Sequence, residues 1–187
     1  MEIKKMLISN KIIGIVGNYR STFNFSGYVR DLKIKNIENA LRMVDLNNQV
    51  MDKKFDELNF RELWKLELAS KLDNEVIIVG NLYKNLIHKD IEYVKKLFLK
   101  LSQNYHKKII VIDKNVLTFM GITKTIIVIK NKKVEYITND FYDDKLYLYT
   151  KMPKIVEFIK YINEKNHNIK EHLDIYELIK DIYRSVS

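Results

Sequence analysis

Four short, nearly unbroken apolar runs constrain this chain more than anything else in it: KIIGIV at 11–16, VIIV at 76–79, IIVI at 109–112 and TIIVI at 125–129. A strand with one wet face alternates apolar and polar residues. A strand that is apolar at successive positions is buried on both faces, as in parallel sheets. Between the runs the apolar spacing becomes helical. Ile37, Leu41 and Val44 share a face over 36–46, and Leu58, Leu63, Leu66, Ala69 and Leu72 share one over 57–73. Ile91, Val94, Leu97, Phe98 and Leu101 do the same over 89–104. Buried strands alternating with amphipathic helices predict βαβ units and a mostly parallel sheet covered on both faces. Right-handed crossovers then gather the C-terminal strand ends on one edge, where ligands sit in such folds. Residues 125–129 and 134–138 flank Lys130-Asn131-Lys132-Lys133 and read as a hairpin.

The character changes after residue 138. Residues 138–150 form a polar, tyrosine-rich connector. Residues 154–165 make an amphipathic helix behind Pro153, with Ile155, Val156, Phe158, Ile159 and Ile162 as its stripe. A last helix spans 174–185, where Asp174 and Glu177 are spaced for a start resembling a capping box. The chain is expected to divide into an α/β core, 1–138, and a small C-terminal helical extension, 139–187. No internal repeat is visible.

Composition removes several function classes. With 47% hydrophobic and 30% charged residues, wholesale disorder is excluded. The absence of cysteine excludes disulfides and thiolate metal sites. His88, His106, His167 and His172 show no metal-ligand spacing, so no metal site is expected. The net charge is +9, but only five of the 33 basic residues are arginine. Residues 138–187 hold 8 basic and 9 acidic side chains, so the excess lies in the core. Nucleic-acid recognition favours arginine and interleaved aromatics. The twelve tyrosines are scattered, so nucleic acid is disfavoured as a partner and an anionic surface or acidic protein is the alternative. There is no signal-peptide pattern, and no uncharged apolar run approaches the ~18–20 residues of a membrane span. The expected location is cytoplasmic.

The first apolar run ends in Gly17-Asn18-Tyr19-Arg20-Ser21-Thr22. A phosphate loop needs glycines so that backbone N–H groups can curl round the anion, a lysine on its oxygens and a hydroxyl on magnesium. This segment resembles the end of a Walker A motif, with Arg20 in the lysine position and Ser21-Thr22 intact. It is about three residues shorter and has lost two glycines. The plainer reading is that Arg20, Ser21 and Thr22 cap a helix and that Tyr19 packs.

Later segments follow the order of one family. Phe55-Asp56-Glu57-Leu58-Asn59-Phe60-Arg61-Glu62 is similar to the ELSGGQ signature of ATP-binding cassette (ABC) ATPases. The stretch 75–87 resembles the family's Walker B strand and D-loop, and 107–115 its switch-histidine segment. Residues 123–134 look like its hairpin. The tail, with Met152-Pro153 leading one helix and Leu173-Asp174 the next, resembles the C-terminal extension of energy-coupling factor (ECF) transporter ATPases. The resemblance implies a P-loop NTPase-like fold with a reduced antiparallel subdomain. It also implies ATP with magnesium as the ordinary ligand.

Apart from Ser21-Thr22, each position that carries the family's chemistry differs here. Asn59 and Phe60 stand for the signature serine and first glycine. Gly80 stands for the magnesium-organising aspartate and Asn81 for the glutamate base. Ile87 replaces the D-loop aspartate, and Lys114 the switch histidine. The resemblance therefore implies a nucleotide-binding subunit with no catalytic residues and no bound cofactor. Its partners would be an intact ABC ATPase paralogue, or a second copy, and a transmembrane subunit on the inner face of the cell membrane. A stand-alone basic module on a repurposed core, binding an acidic protein or nucleic acid, is the alternative. Outside these motifs, Asp143-Asp144 is read as solvated, and Trp64 as either core or partner-facing.

Overall fold

The computed structural model describes residues 11–19, 26–80, 88–165 and 168–186. In chain order the elements are β1 (Ile12–Val16), α1 (Ile37–Met43), α2 (Phe60–Ala69), β2 (Val76–Gly80) and α3 (His88–Asn104). Then come β3 (Lys108–Asp113), β4 (Thr125–Lys130), β5 (Lys133–Thr138), α4 (Lys154–Glu164) and α5 (Ile175–Val186). Every predicted element is present, with its ends shifted. The helix read over 57–73 is shortest against expectation. Glu57 caps a three-ten turn by accepting from Lys54 N, and the α-helix begins only after Asn59.

The sheet has the order β2-β3-β1-β4-β5. β2, β3, β1 and β4 run parallel, and β5 returns antiparallel to β4. The α/β class with a mostly parallel sheet and flanking helices is therefore what the chain adopts. The hairpin turns through Asn131 and Lys132, both at positive φ (50° and 63°), matching the right-handed strand twist.

The register sorts the apolar residues into two faces. One face carries Ile12, Val16, Ile77, Val79, Ile109, Val111, Ile126 and Val128. Onto it pack α1 to α3, the turn holding Phe119, and residues from beyond the hairpin, among them Phe141, Leu146 and Val156. Gly14 lies under Phe119, and a Cβ there would stand 2.3 Å from the ring. The other face carries Ile13, Ile15, Ile110 and Ile127 in a cluster built from strand residues alone. A third cluster joins Val29, Leu41, Val50, Phe55, Leu58 and Leu66 beneath α1 and α2. It anchors the irregular stretch after residue 26, where Val29 N donates to Lys53 O and Phe55 N to Gly27 O, both at 3.1 Å.

The C-terminal helices bury Val156, Ile159 and Leu178 and are held further by local polar contacts. Tyr142 Oη donates to His172 O at 2.7 Å, and His172 Nε2 lies 3.1 Å from Asp181 Oδ2. Asp174 caps α5 through Tyr176 N (2.8 Å) and Glu177 N (3.2 Å). Asp143 accepts from Tyr136 and from Lys145 N and so caps the turn that follows, while Asp144 pairs with Lys160 but keeps an exposed side chain, solvated as expected. Among the described residues no helix is long and apolar enough to cross a membrane.

Candidate functional site

The parallel strands end together, and their C-terminal edge gathers the motif positions that the structure describes. β1 hands over to Gly17, whose N–H donates to Asp113 O at the end of β3 (3.0 Å). From there Tyr19 reaches across to Gly80, the buried last residue of β2. A Cβ on Gly80 would lie 2.4 Å from Tyr19 Cγ and 2.5 Å from Ile112 O. Real Cβ atoms do not approach that closely, so Gly80 is a glycine because ring and carbonyl already occupy the space.

Tyr19 is fastened from above by Lys71. The ammonium donates to Tyr19 Oη (3.0 Å) and to Ile78 O (3.0 Å), and pairs with Glu67 Oε1 (2.7 Å). The ring and the lysine thus close the β2 end of the edge. Gly80 brings no oxygen ligand there, and no side chain fits in its place.

The other half of the edge is open. Beside β1 and β4 a cavity of about 380 Å³ is lined by Gly17, Asn18, Lys114, Lys130, Asn131 and Tyr149. Lys114 is exposed, and its carbonyl accepts from Thr150 Oγ1 (2.8 Å). Two lysines at strand ends can attract an anion, but as solvated point charges and without a bidentate fork.

One carboxylate does stand on this edge. Asp113, half-buried at the end of β3, accepts from Asn115 N (3.0 Å). Burial pushes its carboxyl above the ordinary aspartate range, against backbone hydrogen bonds that favour the charged form. The sequence reading passed over Asp113. The signal was there, an acid closing an apolar run, but only the register shows that it faces Val16 at the start of the loop.

The signature-like segment starts α2, as expected. Asn59 is its N-cap: Oδ1 accepts from Glu62 N, and Glu62 Oε2 accepts from Asn59 N, each at 3.0 Å. The pair is a capping box with Asn in the serine role. Burial raises Glu62, but hydrogen bonds from Lys53 and the Asn59 amide outweigh it and hold the carboxylate below its usual range. The helix N-terminus is therefore already served by an anion of its own. Phe60, beside it, is 38% exposed.

Of the sequence-predicted site residues, Gly17, Gly80 and Lys114 come together at the strand edge. Asn59 and Phe60 lie at the start of α2. Arg20, Ser21, Thr22, Asn81 and Ile87 lie outside the described residues. Tyr19 packs, as the plainer reading expected. What the sequence did not reveal is its partner, because Gly80 is 61 positions away and two strands across.

No protein-family model and no curated protein matches this chain. Solved structures do match by shape. One is cbiO1 from Clostridium perfringens, part of the ABC transporter complex cbiONQ, at TM-score 0.57 and 19% identity over 80% of this chain. Another is MJ1267, an ATP-binding cassette of an ABC transporter, at TM-score 0.51 and 11% identity over 71% of this chain. The chain spans 68% of the first and 62% of the second. It spans between 26% and 66% of other solved structures that it resembles. At these identities the likeness shows the fold, which is that of an ABC ATP-binding cassette.

Proposed function

We propose that this chain is an ECF-like ABC nucleotide-binding subunit that has given up ATP hydrolysis and serves as a structural or regulatory partner of an active ATPase and a membrane subunit. The observation that carries the reading is the Tyr19–Gly80 contact. ATP hydrolysis on such a fold needs a carboxylate at the end of that strand to organise magnesium, and a base to orient water. Here the strand end is filled by an aromatic ring that Lys71 clamps in place. Gly17, with Arg20, Ser21 and Thr22, would offer at most a shortened phosphate loop. No bound cofactor is proposed.

The partner reading rests on three supports. The tail resembles the ECF extension. The matching cbiO1 is described as part of a transporter complex. The helices α4 and α5 leave Phe158, Tyr161, Ile175 and Tyr176 exposed. We divide the chain into a cassette core, 1–138, and a helical extension, 139–187. The protein would sit at the cytoplasmic membrane face through its partners.

Pull-down from the native cell followed by mass spectrometry tests the partner half. The expected catch is an intact ABC ATPase and a multi-span membrane subunit. A malachite-green assay on the purified chain tests the enzymatic half, with phosphate release expected at the buffer rate. Steady ATP turnover by the chain alone would overturn the inactive assignment. Salt-sensitive retention on DNA with no transporter partner would instead favour the stand-alone basic module.

A further inference from the structure

Between α2 and α3, away from the strand edge, lies a cavity of about 290 Å³ lined by Arg61, Trp64, Lys65, Asp90 and Tyr93. Its charges are unevenly matched. Arg61 Nη2 pairs with Asp90 Oδ1 at 2.7 Å, and Lys100 takes Asp45, whose other oxygen accepts from Tyr93 Oη (2.9 Å). Lys65 is left with a backbone oxygen, that of Asp45 (3.0 Å), and with the Tyr93 ring, 4.6 Å from its ammonium. Among the described residues no carboxylate lies within ion-pair distance of it. Burial lowers the Lys65 ammonium below the ordinary lysine range; the Asp45 and Glu62 carboxylates pull the other way from beyond ion-pair distance, and the Lys100 and Arg61 cations add to the lowering.

The walls add a second observation. Trp64 is 4% exposed, and its Nε1–H has no hydrogen-bond partner. Buried donors are rarely left so, because the unmade bond costs about 1–3 kcal/mol. Trp64 and Tyr93 meet edge to face, with centroids 6.4 Å apart, and give the cavity aromatic surface beside its cations.

We propose that this cavity is a binding site for a carboxylate carried on a small flat or apolar body, with Lys65 and Arg61 taking the charge and Trp64 and Tyr93 the body. The volume suits a small acid or one acidic side chain of a partner, and both offer the same chemistry. None of its residues belongs to the strand edge, although Arg61 is part of the signature-like segment that opens α2.

Trp64 is the only tryptophan in the chain, so its fluorescence reports on this cavity alone. Titration of the full chain with sodium benzoate, against sodium chloride at matched ionic strength, is expected to change its emission saturably. Benzamide, the same shape without charge, is expected to have no saturable effect. Lys65→Met should weaken the benzoate response about tenfold or more, the loss of one charge-assisted contact. An acetylated, amidated Ala-Glu-Ala peptide forms the second arm. Tighter binding than benzoate marks a partner's side chain as the source of the acid, and weaker binding marks a free small acid. The proposal is overturned if benzoate fails to saturate by about 20 mM. Equal responses to benzamide and benzoate overturn it too, as does an unchanged response in Lys65→Met. The comparison of benzoate with benzamide uses the unmodified protein and holds even if the variant does not fold.

Discussion

Between β2 and β1 the C-terminal edge of the sheet is filled by Tyr19, which leaves Gly80 no space for a side chain. One strand further, between β1 and β4, the same edge opens into about 380 Å³ lined by two lysines. The two glycines at the corresponding strand ends mark the contrast. A Cβ on Gly80 meets atoms at 2.4 and 2.5 Å, whereas on Gly17 the nearest lie at 3.8 Å. Gly80 is held by sterics and Gly17 is not. Under the proposed function, anion binding belongs on the open half, and the half where the family resemblance would put a metal-organising carboxylate is closed.

Four experiments can break or sharpen that contrast. Placing an acid at position 80 should do the most damage. Gly80→Asp both overpacks the site and buries a charge, so urea denaturation should show a loss of about 3 kcal/mol or more. Adding Tyr19→Ala should recover only part of it, roughly 1–2 kcal/mol of coupling, because Ile112 O remains 2.5 Å away. Full recovery would mean that Tyr19 alone closes the site. Next in size is Lys71→Met, which removes the clamp on Tyr19 and should cost about 1–2 kcal/mol by the same measurement. No loss would mean that the ring holds its place by packing alone.

A smaller effect tests Asp113, the acid at the end of β3. The folded-state carboxyl of Asp113 titrates above its ordinary value of 3.8 because burial disfavours its charge. Between that value and the raised one the folded state binds more protons than the unfolded state. This group's contribution to stability therefore falls as pH rises through the window and is recovered on acidification. Asp113→Asn should remove that slope and raise stability at pH 7 by under about 1 kcal/mol. Midpoints of urea curves for both proteins across pH 4 to 7 check it, and parallel curves would show that the acid is not desolvated. The smallest effect should come from Gly17→Ala. With only ordinary van der Waals neighbours, it should shift stability by about 0.5 kcal/mol or less. A loss comparable to that of Gly80→Asp would erase the difference between the two halves.

Much of the fold was legible in the sequence. Unbroken apolar runs at 76–79, 109–112 and 125–129 became parallel strands, and 134–138 paired back on the last of them. The stripe of Val94, Leu97, Phe98 and Leu101 became the buried face of α3. Helix starts were less legible. Glu57 looked helical by spacing, yet its carboxylate caps the preceding turn, and Asn59 and Glu62 together set where α2 begins. The candidate site was legible as a set of departures from a family pattern. Its geometry was not, because Tyr19, Lys71 and Gly80 are ordinary residues until the strand order brings them together. The environment of Lys65 was equally hidden: charge counts show no pairing, and α2, α3 and the turn at Asp45 must pack before its ammonium is seen to bond a backbone oxygen rather than a carboxylate.

By itself the sequence determined the layering of this protein, because periodicity and continuous apolar runs act locally and dictate which residues must leave water. Tertiary structure alone decided what the strand edge can hold. Whether a glycine is open or obligatory depends on atoms contributed by segments far away in the chain. At Gly80 those atoms come from the loop after β1 and from the backbone of β3, and they stand where a side chain would have to go.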